Sequence, residues 1–323
     1  MCSVGRRGEL MKNFRKSMGE NSRIVATDNS PYAPALYFAD KTYIVPRIDS
    51  PDYIDKILKI CKEEHINCIT TFIDPEIMIL AANREKFAAL GVEVLAPYLE
   101  TAKLCFDKYE MFKYLQKCGV RTTQTWGTFE EVKEAIDAGM VSFPVFVKPR
   151  RGSGSVGAKK ICDMEELHAV FKQDPSIIAQ EFMTGEGCFD LDADVYVDTI
   201  THVPVSIFSK KKISTTIGGA NKTISFKDEK LFEFTQRALR NFKFNGPIDV
   251  DFFYKNGEYY LSEINPRFGG AYLHAYGAGV DFIKMIDKNL HGEKNEVQIG
   301  NYDEGVVMMM YDSVVICNKE ELK

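Results

Sequence analysis

The glycine-rich segment Gly152–Gly157 limits the possible folds of this chain more than any other feature, because the residues directly after it do not form a helical pattern. Its sequence, Gly-Ser-Gly-Ser-Val-Gly, satisfies the G-x-G-x-x-G pattern of dinucleotide-binding loops. In those loops the third glycine leads directly into an amphipathic helix. Here it leads into Ala158–Ile161, whose composition favours an extended conformation, and a helix is expected only after Asp163, a good N-cap residue. The loop is therefore predicted to join two antiparallel strands.

A glycine-rich hairpin of this kind is suited to phosphate, since its backbone N–H groups can point at phosphate oxygens. Lys148 ends the apolar strand predicted at Phe143–Val147, and its ammonium could reach the same phosphate. The alternative P-loop needs Gly-Lys-Ser/Thr, a triplet that occurs nowhere in the sequence. A solvated surface hairpin is the simpler interpretation, but a buried strand that leads into a basic glycine loop favours phosphate binding.

A second segment, Leu261–Gly270, combines an acid, an amide and a guanidinium. Glu263, Asn265 and Arg267 lie two residues apart, after a predicted strand at 258–264, so their side chains share one face. Carboxylate and amide oxygens are the ligands that Mg²⁺ takes, and Arg binds phosphate in two places. A salt-bridged strand end followed by a turn explains this segment equally well by itself; the upstream glycine loop favours a metal-bound polyphosphate.

Residues 1–97 alternate strand and helix, which predicts a parallel sheet covered by helices. Either the first strand is very short or the start is incomplete, because Gly5–Gly8 (Gly-Arg-Arg-Gly) follows almost at once. That loop would lie at the carboxyl end of the strand, a favoured ligand position where Arg6 and Arg7 could hold an anionic substrate. A solvated basic turn is the alternative. Helices are predicted at 9–18, 52–64 and 75–90, and strands at 23–27, 41–46, 66–73 and 92–96.

The remainder, 98–323, is predicted to contain a small lid unit at 120–183 and a strand-rich unit at 184–323. The short apolar strand at 177–183 turns polar at its end, a place where a nucleotide base can lie against a strand edge. Helices are predicted at 101–118, 129–138, 228–242 and 282–290, and strands at 123–126, 143–147, 194–198, 203–209, 247–254 and 305–316.

Composition excludes several classes of protein. The formal net charge of −5 and the pI near 5.7 give no basic footprint for nucleic acid. No apolar run approaches the ~20 residues of a membrane span. The eight cysteines are scattered without a Cys-x-x-Cys pair, which fits reduced thiols in a cytoplasmic protein better than disulfides or zinc.

In their order along the chain, these elements resemble the ATP-grasp superfamily, in particular the branch similar to the large subunit of carbamoyl-phosphate synthetase. The resemblance covers about residues 97–290. The opening Ser3–Arg7 and the segment Thr27–Leu36 resemble the domain that precedes the grasp in this branch. The implied fold is α/β and α+β, with a Rossmann-like parallel-sheet domain at 1–97 followed by an ATP-grasp domain at 98–323.

The resemblance also implies cofactors and residue roles. The cofactors would be ATP and two Mg²⁺ ions, for which Mn²⁺ could substitute. Arg267 would steady the reacting phosphoryl group, and Lys211 would be a second catalytic residue. The nucleotide would be bound by Lys108, Lys148, Ser153, Gly154, Ser155, Glu181, Phe182, Met183 and Glu186, and the metal ions by Asp251, Glu263 and Asn265.

The chain departs from the pattern of its relatives at three places. Gly187 stands where many relatives have the glutamate that holds the ribose, so Glu186, or Asp190 or Asp192 nearby, would take over. The segment Lys210–Lys212 replaces arginines, which keeps the charge but loses the bidentate fork. Asp251 stands where carbamoyl-phosphate synthetases prefer glutamine.

The implied activity is that of a ligase, in which a carboxylate attacks the γ-phosphate and an amine then displaces phosphate to form a C–N bond. Phosphoryl transfer to a carbamate and a nucleotide-binding regulator without turnover are the alternatives. A full carbamoyl-phosphate synthetase is not expected, because its large subunit has two such halves. The partners would be a small carboxylate, an amine and a second copy of the chain. The substrate is expected near Arg6, Arg7, Lys211 and His274, although a histidine in such a Gly/Ala/Tyr-rich stretch is more often packed or hydrogen-bonded.

Overall fold

A computed structural model of the protein describes residues 1–20, 22–152, 157–216 and 219–323, without the side chain of Thr216. Within these ranges no helix has both the length and the apolar character that a membrane crossing requires.

The N-terminal unit contains two parallel strand pairs with an extended segment between them. Met1 accepts a hydrogen bond from the backbone N–H of Thr27, and Cys2 donates one to the carbonyl of Thr70, both at 2.9 Å. A parallel bridge between Cys2 and Thr71 continues the arrangement. Residues 1–4 therefore lie between the two pairs of parallel strands. The pairs are β1 (Val25–Asp28) with β2 (Lys41–Ile44), and β3 (Cys68–Ile69) with β4 (Glu93–Val94).

Two helices predicted as continuous are each divided. The helix predicted at 75–90 is interrupted at Asn83. The one predicted at 101–118 is interrupted at Asp107, which is extended and accepts hydrogen bonds from the N–H groups of Tyr109 and Glu110. A side chain that caps a new helix competes with continuation of the old one. The helices are α1 (Gly8–Met18), α2 (Tyr53–Glu63), α3 (Asp74–Ala82), α4 (Arg84–Ala88), α5 (Leu99–Phe106) and α6 (Lys108–Lys117), with a 3₁₀ helix at Pro34–Phe38.

A four-stranded antiparallel sheet comes next, in the order β5-β8-β6-β7. The strands that flank the glycine-rich segment pair antiparallel, with Val147 opposite Lys159, so the predicted hairpin is confirmed. Asp163 caps the next helix by accepting from the N–H of Glu166, also as predicted. The elements are β5 (Thr125–Trp126), β6 (Val145–Pro149), β7 (Lys159–Ile161), β8 (Ile177–Glu181), α7 (Phe129–Asp137) and α8 (Met164–Gln173).

A six-stranded antiparallel sheet in the order β13-β12-β9-β10-β11-β14 forms the rest. One of its strands, Gly219–Phe226, has no counterpart in the prediction, and the predicted late strand at 305–316 is reduced to Val307–Met309. The strands are β9 (Phe189–Val197), β10 (Pro204–Thr216), β11 (Gly219–Phe226), β12 (Gly246–Lys255), β13 (Glu258–Asn265) and β14 (Val307–Met309). The helices are α9 (Glu229–Leu239), α10 (Leu273–Gly277), α11 (Phe282–Leu290) and a 3₁₀ helix at Lys319–Glu321.

The register of this sheet brings charged side chains of four neighbouring strands, β9, β10, β12 and β13, onto one face. Apolar residues such as Val250 and Phe252 occupy the opposite face of β12, where the ring of Phe252 contacts Phe234 of α9 with centroids 6.1 Å apart. Because strand side chains alternate, the residues between them face the other way. Two cross-strand rows result: Glu263–Asp251–Asp192–Lys210 and Asn265–Asp249–Asp194.

Candidate active site

A cleft of about 870 Å³ lies over the charged face of the six-stranded sheet. The N-terminal unit and the four-stranded sheet supply its other walls, so residues that are distant in the sequence meet there. Its charged lining residues are Arg7, Asp74, Lys108, Lys148, Arg151, Asp190, Asp192, Lys212, Asp249, Asp251, Glu263 and Arg267.

Glu263 on β13 lies between two lysines from other elements. Its carboxylate is 3.4 Å from Nζ of Lys108 in the first turn of α6 and 3.8 Å from Nζ of Lys148 on β6. Lys108 also donates to the carbonyl of Gly152 at 2.6 Å, which links α6 to the start of the glycine-rich segment. Burial lowers the pKa of Lys148, which Glu263 partly offsets. A further anion at this position would stabilise the charged form of Lys148.

Asp251 is bridged to its neighbours by both carboxylate oxygens. Lys212 donates to Oδ1 at 2.5 Å, and the amide of Asn265 donates to Oδ2 at 3.1 Å. Burial raises the pKa of Asp251, and the carboxylates of Asp192 and Glu263 raise it further, while Lys212 opposes both. We call Asp251, Glu263 and Asn265, with Lys108, Lys148 and Lys212, the open cluster.

Arg267 is held at the edge of this cluster by two acids. Its Nε is 2.9 Å from Asp74 at the start of α3, and its Nη1 is 3.6 Å from Asp249. Burial lowers the pKa of Arg267, but Asp74 and Asp249 outweigh burial and raise it overall. The guanidinium therefore stays charged and fixed beside the oxygens of Asn265.

A second group, the buried cluster, consists of Lys210 with Asp192, Asp194 and Asp249. Lys210 has no exposed surface, pairs with Asp194 and is 3.2 Å from Asp192. Oxygens of the three aspartates all lie within 4.8 Å of one another. Burial raises the pKa of Asp194 to about 6 and that of Asp249 well above its ordinary value, the latter with help from Asp192 and Asp251.

The glycine turn after β13 packs directly on the buried cluster. A Cβ at Gly269 would lie 2.6 Å from Oδ1 of Asp194 and 2.9 Å from Oδ1 of Asp249. Among the described residues, neither oxygen has a hydrogen-bond donor. The turn thus depends on glycine for a close approach to carboxylates.

The open cluster fits a divalent metal ion that bridges phosphates. Asp251 and Glu263 face each other across adjacent strands, and Asn265 adds an amide oxygen, so three hard oxygen donors share one wall of the cleft. Their present partners are ammonium and amide groups of residues that line the same cleft. Such carboxylates could exchange a lysine for a metal ion while the lysine turns to phosphate.

The structure brings Lys108, Lys148, Asp251, Glu263, Asn265 and Arg267 together, but not Lys211. Nζ of Lys211 lies 3.4 Å from the ring centroid of Phe189, outside the cleft. Because strand side chains alternate, its neighbours Lys210 and Lys212 face the site instead.

The residues expected to hold the base and ribose lie around the end of β8. The backbone N–H of Glu181 donates to the carbonyl of Gln124, and its carboxylate is 3.2 Å from Lys255. Phe182 stacks on Phe146, a residue of the cleft wall, with centroids 6.2 Å apart. Met183 is buried and Glu186 is exposed. Ser153, Gly154 and Ser155 lie outside the described residues.

The expected substrate residues separate into two groups. Arg7 lines the cleft, whereas Arg6 is exposed and pairs with Asp312 at 3.4 Å. His274 is packed: its ring nitrogens lie 2.7 Å from the hydroxyl of Thr223 and 2.9 Å from the carbonyl of Val306. Burial lowers the pKa of His274 to about 4.

Five residues of the site were not predicted as functional from the sequence: Asp74, Asp194, Asp249, Lys210 and Lys212. One signal was available, since Asp190, Asp192 and Asp194 alternate along β9 as site residues do on a strand. The contact between Asp74 and Arg267 joins residues 193 positions apart and had no local signal.

The fold and the cleft define a protein with a parallel-sheet unit joined to two antiparallel sheets that enclose a phosphate-compatible, metal-compatible site. Residues 105–271 match the ATP-grasp domain family, and residues 1–95 match the PylC-like N-terminal domain. The chain belongs to the ATP-grasp family, which confirms the predicted family and fold class.

Individual relatives are consistent with this family assignment. A putative D-alanine–D-lactate ligase of Streptomyces coelicolor is 26% identical over 62% of this chain and 64% of its own length. The C-terminal section of the carbamoyl phosphate synthase large chain of Methanocaldococcus jannaschii is 23% identical over 89% of this chain and 48% of its own. The chain thus spans less than two thirds of these relatives.

Solved structures show the same fold. The N5-carboxyaminoimidazole synthetase of Staphylococcus aureus superposes with a TM-score of 0.70 at 18% identity, over 90% of this chain and 76% of its own. The biotin carboxylase domain of the Hydrogenobacter thermophilus 2-oxoglutarate carboxylase, in complex with MgADP, ADP and bicarbonate, superposes with a TM-score of 0.74 at 17% identity. The superposition covers 95% of this chain and 72% of that domain's chain.

Proposed function

We propose that the protein is an ATP- and Mg²⁺-dependent ligase that activates a small carboxylate as an acyl phosphate for attack by an amine. The observation that carries this proposal is the position of Glu263. It lies between Lys108 and Lys148, in a cleft it shares with Asp251, Asn265 and Arg267. The ligase names of the curated relatives support the same reaction class.

The chain's own residues account for positioning and charge. Lys108 and Lys148 would bind the triphosphate from two sides of the cleft. Arg267, fixed by Asp74, would stabilise negative charge on the phosphoryl group in transfer, since preformed charges contribute most where charge develops. The hairpin between β6 and β7 would cover the phosphates and exclude water, because water would hydrolyse an acyl phosphate.

Asp251, Glu263 and Asn265 would hold Mg²⁺. When bound, the ion would neutralise phosphate charge and orient the γ-phosphate. Glu263 and Asp251 would release their lysines to phosphate when they bind metal. Phe182 and Met183 at the end of β8 would hold the base.

A reducing, cytoplasmic location and a homodimer belong to this proposal as well. All eight cysteines are free thiols, which fits a reducing compartment. The dimer rests on resemblance to relatives alone.

Calorimetric titration with a non-hydrolysable ATP analogue, with and without Mg²⁺, tests the site. We expect Mg²⁺-dependent binding that Glu263→Gln weakens by about a hundredfold, because the substitution removes a charge from the metal site. Glu258→Gln is the matched control, since it lies on the same strand but pairs with the exposed Arg121. Folded wild-type protein that binds no nucleotide would disprove the ligase proposal.

Release of ADP then separates a ligase from a regulator without turnover. Hydroxylamine can serve as the amine, since it traps acyl phosphates as hydroxamates whatever the natural acceptor is. ADP and hydroxamate that accumulate in equal amounts with one carboxylate of a panel would support acyl transfer. ADP that forms with carbamate, but with no carboxylate of the panel, would favour the carbamate-type reaction.

A further inference from the structure

Arg7 occupies a position in the N-terminal sheet that suits a ligand. It comes after residues 1–4, whose neighbours are β1 on one side and β3 on the other. Where the chain leaves a parallel sheet in opposite directions, a crevice opens at the carboxyl ends of the strands. Phe72 and Asp74, just beyond the end of β3, line the same part of the cleft.

The side chain of Arg7 is fixed in this crevice at one end only. Its Nη2 donates to the carbonyl of Gly269 at 2.7 Å and lies 3.5 Å from that of Phe268. Nη1 of Arg267 donates to the same Phe268 carbonyl at 3.2 Å. The two guanidinium groups therefore meet on one oxygen atom, and the ring of Phe72 supports Arg7, with its Cζ 5.6 Å from the centroid.

Arg7 also differs from the other cations of the cleft in its charge partners. Lys108, Lys148, Lys212 and Arg267 each have a carboxylate within 4.0 Å. Across the described ranges Arg7 has none, and its Nε and Nη1 donate to no described residue. Burial, and after it the charge of Arg267, lowers its pKa to about 10. The carboxylates of Asp249, Asp194 and Asp74 oppose this shift without reversing it. A guanidinium with free donors and no carboxylate within 4.0 Å among the described residues can bind a further anion.

We propose that Arg7 binds the substrate carboxylate that is phosphorylated, and that it holds this group against Arg267. Nε and Nη1 form the edge of a guanidinium that can bind a carboxylate through two parallel hydrogen bonds. Arg267 beside it connects this carboxylate site to the open cluster, where the γ-phosphate would lie. The inference rests on the proposed ligase function and adds the residue that selects an acid as substrate.

The adjacent residue supplies a matched control. Arg6 has the same side chain one position earlier, but that side chain is 86% exposed and pairs with Asp312, itself exposed. Substitution of either arginine changes net charge equally, so a difference between the two variants reports position and not charge.

Saturation-transfer NMR with acetate as the probe tests the site without knowledge of the natural substrate. Acetate is titrated against chloride at constant ionic strength, in the presence of MgADP, for the wild type, Arg6→Gln and Arg7→Gln. We expect saturable acetate signals with the wild type and Arg6→Gln, and an acetate Kd at least about tenfold higher for Arg7→Gln, since a charged hydrogen-bonded pair is lost.

An unchanged Kd in Arg7→Gln, or no saturable signal in the wild type, would overturn the inference. Because Arg7 also holds the Gly269 turn, Arg7→Lys and Arg6→Lys form a second pair. Lysine can keep the bond to the carbonyl but not the two-pronged carboxylate contact, so only Arg7→Lys should weaken acetate binding. Calorimetry of MgADP alone reports separately on the nucleotide site, so failure of the ligase proposal is distinguishable.

Discussion

The open and buried clusters lie on one face of the same sheet and contain similar residues, yet they differ in the source of their cations. In the buried cluster Lys210 comes from β10, inside the sheet, and is completely enclosed. In the open cluster Lys212 also comes from β10, but it is not fully enclosed, and Lys108 and Lys148 come from α6 and from the four-stranded sheet. A fully enclosed cation of the sheet is a fixed counter-charge, whereas a cation at the cleft can exchange its carboxylate for a ligand.

Because of this difference, neighbouring side chains on the same sheet face are expected to have different roles: the buried cluster stabilises the fold, and the open cluster binds ligands. Three buried carboxylates near Lys210 would be costly without it, so that cluster should support the fold. Glu263 and Asp251 gain less from their lysines, because those ion pairs border the cleft. Substitutions in the buried cluster should therefore lower stability most, and substitutions in the open cluster should mainly weaken nucleotide binding.

The largest expected effect is that of Lys210→Met. The substitution leaves Asp192, Asp194 and Asp249 without their central cation, and we expect the free energy of unfolding to fall by about 3–5 kcal/mol. Urea denaturation followed by circular dichroism measures it. In Glu263→Gln the same quantity should change by less than about 1 kcal/mol, since that pair is partly solvated. Equal losses in both variants would contradict the distinction between the clusters.

A smaller effect is expected from Gly269→Ala, which changes no charge. The added methyl group would contact Asp194 and Asp249 at distances that require the turn to move. We expect a loss of about 1–3 kcal/mol from overpacking. Gly277→Ala in α10 is the control, because a Cβ there meets no atom within 4 Å. If thermal unfolding shows the same melting temperature for both variants, the turn does not press on the buried cluster.

The smallest effect is a pH dependence at His274, which packs beside Phe208 near the buried cluster. Its pKa is lowered to about 4, so the unfolded chain takes up this proton at a higher pH than the folded one. The contribution of the neutral His274 to the free energy of unfolding is complete above the ordinary pKa near 6.5, and it is lost as the pH falls towards 4. Between pH 6.5 and 5 we expect about 1–2 kcal/mol of stability to be lost.

Comparison of the wild type with His274→Asn isolates this contribution, and exposed His168→Asn serves as the control. The difference in unfolding free energy between the wild type and His274→Asn should narrow as the pH falls. A difference that stays constant from pH 6.5 to 5 would mean that His274 binds its proton equally in both states.

Local signals were enough to predict the hairpin and the helix cap at Asp163, since strand pattern and capping chemistry act over a few residues. A local signal also indicated Glu263 and Asn265, which β13 presents at a period of two, and Lys148, which precedes the glycine-rich segment. Lys108 and Asp251 were named only from the family resemblance, and Lys212 was not predicted.

The break at Asp107 was missed because a capping aspartate within an otherwise helical pattern is hard to distinguish from an ordinary helical residue. The break at Asn83 has no side-chain cap and had no local signal. The domain limits at 97 and 183 remain predictions.

The choice among Lys210, Lys211 and Lys212 shows what single-strand patterns lack. Three consecutive lysines give no indication of which face is buried, and β10 is buried on both faces before them. The pairing of Lys210 with Asp192 on β9 determines which lysines face the cleft, and that pairing depends on the register between two strands. Asp74 is likewise defined only by its contact with Arg267 in the loop after β13. Arg7 was predicted together with Arg6, and only the contacts of the fold distinguish the two.

The register of the six-stranded sheet has a consequence for how this chain can change in length. One residue inserted into β12 ahead of Asp249 would turn Asp249 and Asp251 to the side covered by α9 and bring Val250 and Phe252 into the cleft. Two inserted residues would restore the facing but shift both acids about 7 Å along the strand, away from Glu263 and Asn265. Length variation should therefore be tolerated at the Asn256–Gly257 hairpin tip, and excluded from the strand ahead of the acids.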